Sequence, residues 1–223
     1  VDISDDDFYV LDVFRVVGGN DHAKFTRSNF SQLTTGGLRL EPATDYGHKT
    51  LMRNFRVHRD APSGWTGDFK IEDRYKYLAP GAEVHLRYTD LTTGADAYTA
   101  ETWTVRNATS TEQFWIPTLV TRRQSKDAPL ASTFVALLEP CGKQSRIRSI
   151  RRLKLETEQG AAYGDANVAV EVTLADGRRD VLILADVENP LAVTPSLGKN
   201  RVMVQKETGV RTSREFVFRR LAN

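Results

Sequence analysis

Cysteine is nearly missing from this chain. Cys141 stands alone among 223 residues, so no intrachain disulfide can form and the redox compartment stays open. Its setting, EPCGK, reads as a loop. Histidine is scarce as well: His22, His48, His58 and His85 are scattered, with no HxH or HxxxH pair and no cysteine at zinc-ligand spacing. The chain alone is therefore expected to supply no metal site. No apolar run reaches the length of a membrane-spanning helix. No charged, apolar and small-residue succession opens the chain as an export signal would. It starts on VDISDDDFYV, with a strand almost at the first residue, which reads as a cut inside a larger protein.

The usual catalytic signatures are missing too. There is no GxSxG nucleophile elbow, no GxxxxGK[ST] phosphate loop and no strand–GxGxxG–helix unit. Paired carboxylates for glycoside cleavage depend on spatial separation, so Asp68, Glu72, Asp73, Glu101 and Glu112 are open candidates only. The net charge of +2 argues against nucleic acid as a dominant partner.

Strand patterning is abundant. FYVLDVFRV, AEVHLRYTDL, AYTAETWTVRN, EQFWIPTLVTRR, ASTFVALLEP, VAVEVTL, DVLILAD and REFVFRRL are short, rich in β-branched residues and bounded by turn signals. In VAVEVTL the residues Val168, Val170, Val172 and Leu174 line one face, and Ala169, Glu171 and Thr173 the other. Asp176-Gly177 then marks a hairpin. DVLILAD is apolar on both faces and should lie centrally. About eleven strands and no amphipathic helix predict an all-β antiparallel sandwich formed as one domain over 1–223. Residues 58–81 read as one long, aromatic-rich loop. Inside the first strand, Asp12 and Arg15 are three apart, so alternation aims them at opposite faces. They belong to the frame and each needs its own partner.

Charge is unevenly placed. Residues 1–21 hold six aspartates against Arg15 alone, and residues 120–154 hold nine basic groups against Asp127 and Glu139. Arginine, which outnumbers lysine, grips carboxylate and sulfate oxygens with a planar fork. Exposed aromatics can stack on the apolar faces of sugars. Together these features point to an acidic polysaccharide held by Trp65, Tyr75, Tyr98, Arg122, Arg123, Arg148, Arg152 and Lys154. Tyr98 shares a strand face with Thr102. Trp103 and Trp115 are assigned to the core. Strict alternation in IRSIRRLKLE would turn Arg148, Arg152 and Lys154 outward as one row, opposite Ile147, Leu153 and Leu155.

Several stretches together resemble a known family: YVLDVFRVVGGNDH, SNF, GGLRLEPATDYG, IEDRY, YLAPG, VHLRYTDLT, WIPTLVTRR, APLASTFVALLEP, IRRLKL and NVAVEVTLADGRRDVLILAD. Over about residues 8–188 the chain is similar to the C-terminal β domain of the heparinase II/III-like polysaccharide lyases. The resemblance implies an antiparallel sandwich that follows an α/α toroid in a bacterial enzyme of the periplasm or cell exterior. Such enzymes cleave uronic-acid-containing polysaccharides, glycosaminoglycans among them, by β-elimination. Their catalytic Tyr and His, and the zinc ligands of members that hold zinc, would precede residue 1, because the HxHxD-like and HNT-like motifs do not occur here. The family's HDxxxH after the glycine turn is altered: His22 is kept and Arg27 stands at the second histidine. The expectation is thus a non-catalytic β domain with no cofactor of its own. It would support the toroid and bind acidic polysaccharide. A fragment of an active uronan lyase, or an interaction domain without sugar affinity, are the alternatives.

Overall fold

The computed structural model describes residues 1–45, 50–105, 109, 111–127, 129–186 and 202–221. They form sixteen strands in antiparallel sheets and no helix. The all-β sandwich expected from the alternation is present, with more strands than the eleven read from the sequence, among them Met52–His58 and Thr66–Ile71, which lie outside the stretches read as strands.

Three sheets stack in layers. The middle sheet has the order β1 (Val10–Val17), β10 (Ala131–Cys141), β7 (His85–Asp90), β6 (Thr66–Ile71) and β3 (Ser31–Gly36). One face of it packs Phe69, Tyr88 and Ala136 against Ala97 and Leu119 of a second sheet. That sheet runs β2 (Asp21–Arg27), β9 (Gln113–Gln124), β8 (Asp96–Val105), β5 (Met52–His58) and β4 (Glu41–Pro42). The opposite face packs Val135 and Leu137 against Val168, Val170, Val172 and Leu182 of a third sheet. The third sheet runs β11 (Ile147–Leu153), β12 (Val168–Leu174), β13 (Arg179–Leu184) and β16 (Phe216–Leu221). On its far side Ala169, Val181, Ile183 and Met203 form a further cluster near the small pair β14 (Met203–Gln205) and β15 (Val210–Thr212).

The layering explains the sequence patterns. Residues 134–137 are apolar without a break because β10 is covered on both sides. β13 is likewise apolar on both faces and lies between β12 and β16, as DVLILAD predicts. Asp176-Gly177 closes the β12–β13 hairpin, with Gly177 at φ 92°. At the end of β1, Gly18 and Gly19 both take positive φ, which lets the chain leave the middle sheet and enter the second one as β2.

Asp12 and Arg15 behave as the alternation requires. Asp12 meets Lys24 on the side of the second sheet. Arg15 reaches the other way and donates to the carbonyls of Ala166 and Leu184 at 2.9 and 3.1 Å.

Two local expectations fail. The predicted 58–81 loop contains β6, in which Gly67 and Phe69 face inward while Thr66 and Lys70 stay exposed. In β11 the pairing shifts between Ile147 and Ser149, so Arg148 bulges out of the ladder. The extra residue reverses the parity beyond it. Ile147 and Ile150 both pack on the inner face, and Arg152, opposite Val170, faces inward with them.

Candidate functional site

Most of the predicted arginines are already engaged. Arg122 is buried and grips Asp21 through Nε at 2.8 Å and through Nη2. Arg123 pairs with Asp165 at 3.2 Å. Arg152 meets the same carboxylate at 2.8 Å and also donates to the carbonyls of Leu91 and Asp165. A guanidinium whose fork is filled by a carboxylate offers little to a second oxyanion. These three are framework residues, and Arg152 leaves the predicted outward row because of the bulge. Arg148 and Lys154 remain exposed. Arg148 lines a cleft of about 470 Å³ between β11 and strands β6, β7 and β10 of the middle sheet. That cleft mixes Arg87 and Arg148 with Asp68 and Glu139, so it carries no net preference for an anion.

The predicted aromatics divide as well. Trp65 is 2 % exposed and packs on Tyr88, ring centroids 5.4 Å apart, between the middle and second sheets. It has no free face for a sugar, and its expected role as a stacking residue is replaced by one in the core. Tyr98 is also buried, and its hydroxyl accepts a hydrogen bond from Arg59 at 2.7 Å. Tyr98 and Arg122 do come together, in a depression that also contains Glu41, Arg59 and Gln124. Arg59 and Arg122 each pair with an aspartate there, Asp96 and Asp21. Tyr75 is partly exposed, beside the prominent Tyr77. Trp103 and Trp115 form a cross-strand pair but are only half-buried, with Arg53 lying 4.1 Å over the Trp115 ring; they are not the core pair expected.

The histidines are taken up locally. His22 bonds Ser132 at 2.9 Å and the Gly18 carbonyl. His58 accepts from the Arg39 amide. His85 is bracketed by Asp68 at 2.8 Å and Glu83 at 3.0 Å, which raise its pKa, Glu83 contributing most. His48 lies outside the described residues. Among the described residues no three His, Cys, Asp or Glu side chains converge on a metal-sized point.

The surface best suited to an anion lies elsewhere, along β16, the edge strand of the third sheet among the described residues. A groove of about 500 Å³ is lined by Arg211, Arg214 and Arg219 with Thr212, Ser213, Phe216 and Phe218. No carboxylate is among its described lining residues. Arg211 pairs with Glu158 at its margin. Arg214 and Arg219 are exposed, and among the described residues no side-chain hydrogen bond or ion pair fills either fork. Phe216 is 56 % exposed and supplies an apolar wall. The segment RTSREFVFRR held the signal, four arginines, of which Arg211, Arg214 and Arg219 line the groove, with alternating phenylalanines. The strand pattern alone does not tell that this strand lies at a sheet edge among the described residues.

No known family model matches the chain, and no curated protein matches it.

Proposed function

We propose that this chain is a non-catalytic β domain of a heparinase II/III-like polysaccharide lyase, supporting an upstream α/α toroid and holding an acidic polysaccharide along β16. The observation that carries the reading is the β16 groove. It presents Arg214 and Arg219 unpaired among the described residues, next to hydroxyls and exposed phenylalanine, with no acid among the described lining residues. Carboxylate or sulfate groups on a sugar chain suit open guanidinium forks, and the sugar's C–H faces suit Phe216. The sequence resemblance supports the lyase context, with the proton-abstracting residues and any zinc upstream of Val1, and a periplasmic or extracellular setting where such polymers occur. On the face of β1 that also carries Asp12, Val10 and Phe14 are 47 % and 49 % exposed and offer an apolar seat for the toroid.

Affinity electrophoresis through gels containing hyaluronan, heparin, chondroitin sulfate, alginate or ulvan tests the reading. Retardation by at least one polymer is expected, weakened by salt and by the double change Arg214→Ala/Arg219→Ala. Retardation unchanged in that variant removes the groove as the site. An absorbance rise from unsaturated uronate on mixing would show that the chain cleaves by itself.

A further inference from the structure

Residues 72–78, which follow β6, hold one aromatic ring out into solvent. Tyr77 is 84 % exposed, the highest value of any large apolar side chain among the described residues. Its ring stacks on Tyr75 with centroids 5.7 Å apart and planes 17° from parallel. Tyr75 in turn contacts the buried ring of Phe30 at 6.0 Å. Phe30 meets Phe114 edge-on at 5.1 Å, and the Arg74 guanidinium lies 4.6 Å over Phe30 and 4.8 Å over Phe114. The outer ring is therefore backed, ring on ring, down to the core.

The backbone beneath it is fixed with equal care. The Asp73 carboxylate accepts the amides of Tyr77 at 3.0 Å and Leu78 at 2.7 Å. Lys76 adopts the left-handed conformation at φ 57°, which turns the chain so that Tyr77 returns over Tyr75. Glu72 donates its amide to the Phe30 carbonyl and accepts from the Arg74 guanidinium. A large ring costs little entropy to present when it is already fixed, which is why tyrosine serves so often as a binding anchor.

We infer that the Tyr75–Tyr77 stack is a sugar platform, whose free Tyr77 face takes one pyranose ring of gluco configuration. The polysaccharide part of this inference rests on the proposed function, and it narrows that function to a ring type. A β-linked glucuronate or glucose ring carries its substituents equatorially, so its faces are sheets of axial C–H groups that lie flat on an aromatic ring. A guluronate ring puts several axial oxygens there and does not. The charges around the platform are balanced, Glu72 and Asp73 against Arg74 and Lys76, which argues against a nucleic-acid base as the flat occupant. A proline-rich peptide needs parallel aromatic ridges forming grooves, and here there is one stack.

The test compares the full chain with Tyr77→Ala, Tyr77→Phe and Tyr77→Trp in gels containing hyaluronan or polyguluronate, at low and high salt. Tyr77 is a surface side chain, so each variant should fold. Tyr77→Ala is expected to weaken hyaluronan binding about tenfold, the loss of one stacking contact. Tyr77→Phe should bind as the parent does, and Tyr77→Trp at least as tightly. The difference between parent and Tyr77→Ala should persist at high salt, which screens the arginine groove. Hyaluronan binding that Tyr77→Ala leaves intact overturns the platform while sparing the groove. Equal dependence on Tyr77 in polyguluronate overturns the choice of ring. Parent chain unretarded in both gels overturns this inference and the hyaluronan form of the proposed function together.

Discussion

Arg220 on β16 reaches across to Asp180 on β13 and grips both oxygens of a fully buried carboxylate, at 2.7 and 2.8 Å. Tyr9 completes the cluster by donating its hydroxyl to the same carboxylate at 2.9 Å. Burial, then the Asp180 charge, pushes the Tyr9 phenol far above its ordinary range. Removing the cation alone leaves a negative charge in the core. Arg220→Met is expected to cost about 3–5 kcal/mol, and Arg220→Met combined with Asp180→Leu to recover much of that. Urea unfolding of the two variants checks the difference; equal losses would mean the pair itself, not the orphaned charge, sets the stability.

Trp65 supplies a second stability prediction, which also separates core from site. Trp65→Ala removes a ring packed between two sheets and should destabilise by about 3–5 kcal/mol. Polysaccharide retardation of the fraction that remains folded should be unchanged. Chemical denaturation read beside affinity electrophoresis distinguishes the two roles.

His85 gives a pH dependence with a definite sign. Glu83 first, and Asp68 with it, stabilise the imidazolium and raise the pKa above the ordinary 6.5. The folded state therefore gains from this proton fully below about pH 6.5, and the gain is lost as pH rises through the raised folded value. Glu83 runs the other way. His85, then Lys70, holds its carboxyl below the usual range, so its contribution disappears as pH falls through that depressed value. The Glu83–His85–Asp68 bridge should help most between those limits. An NMR titration of the His85 ring should place its pKa above 6.5, and His85→Gln should flatten the fall in stability on the alkaline side. A ring titrating at or below 6.5 would contradict the bridge.

Cys141 is buried, and burial followed by the Glu139 charge pushes its thiol up to about 11. Little thiolate exists at pH 8, and the sulfur is screened from reagents. A disulfide-exchange reagent should leave the native chain untouched at pH 8 and label it at once in denaturant. Prompt labelling of the native chain would mean that this end of β10 opens readily.

Much of the layered fold was legible in the sequence because burial on one or both faces writes itself into alternation. VAVEVTL and DVLILAD assign their faces correctly, and the three-residue spacing of Asp12 and Arg15 predicts their separation. What stayed hidden depended on contacts distant in sequence or on single-residue irregularities. Asp21 and Arg122 are a hundred residues apart, so nothing local reveals that the arginine is occupied. One bulged residue at Arg148 turns Arg152 from the predicted outer row to the inner face. β6 escaped notice because only Gly67 and Phe69 of its six residues are buried, too short an alternation to stand out from the polar stretch around it. Arg214 and Arg219 were visible as residues, but that no described carboxylate pairs with them, while the neighbouring Arg220 is taken by Asp180, follows from contacts that no local pattern encodes.

The Tyr9–Asp180–Arg220 cluster also sets a clock on synthesis. Tyr9 precedes Asp180 by 171 residues and Arg220 follows it by 40, and two further long-range links lie beside them: Arg220 to the carbonyl of Asp2, and Arg178 to that of Ile3. β1 can pair with β10 as soon as residue 141 has emerged, but the cluster cannot close until Arg220 is made. Until then Tyr9 and Asp180 have no cation to meet, and β13 shows an unpaired edge to its surroundings. A nascent chain stalled before Phe216 should thus be captured by holdase chaperones, and one extended past Arg220 should escape them.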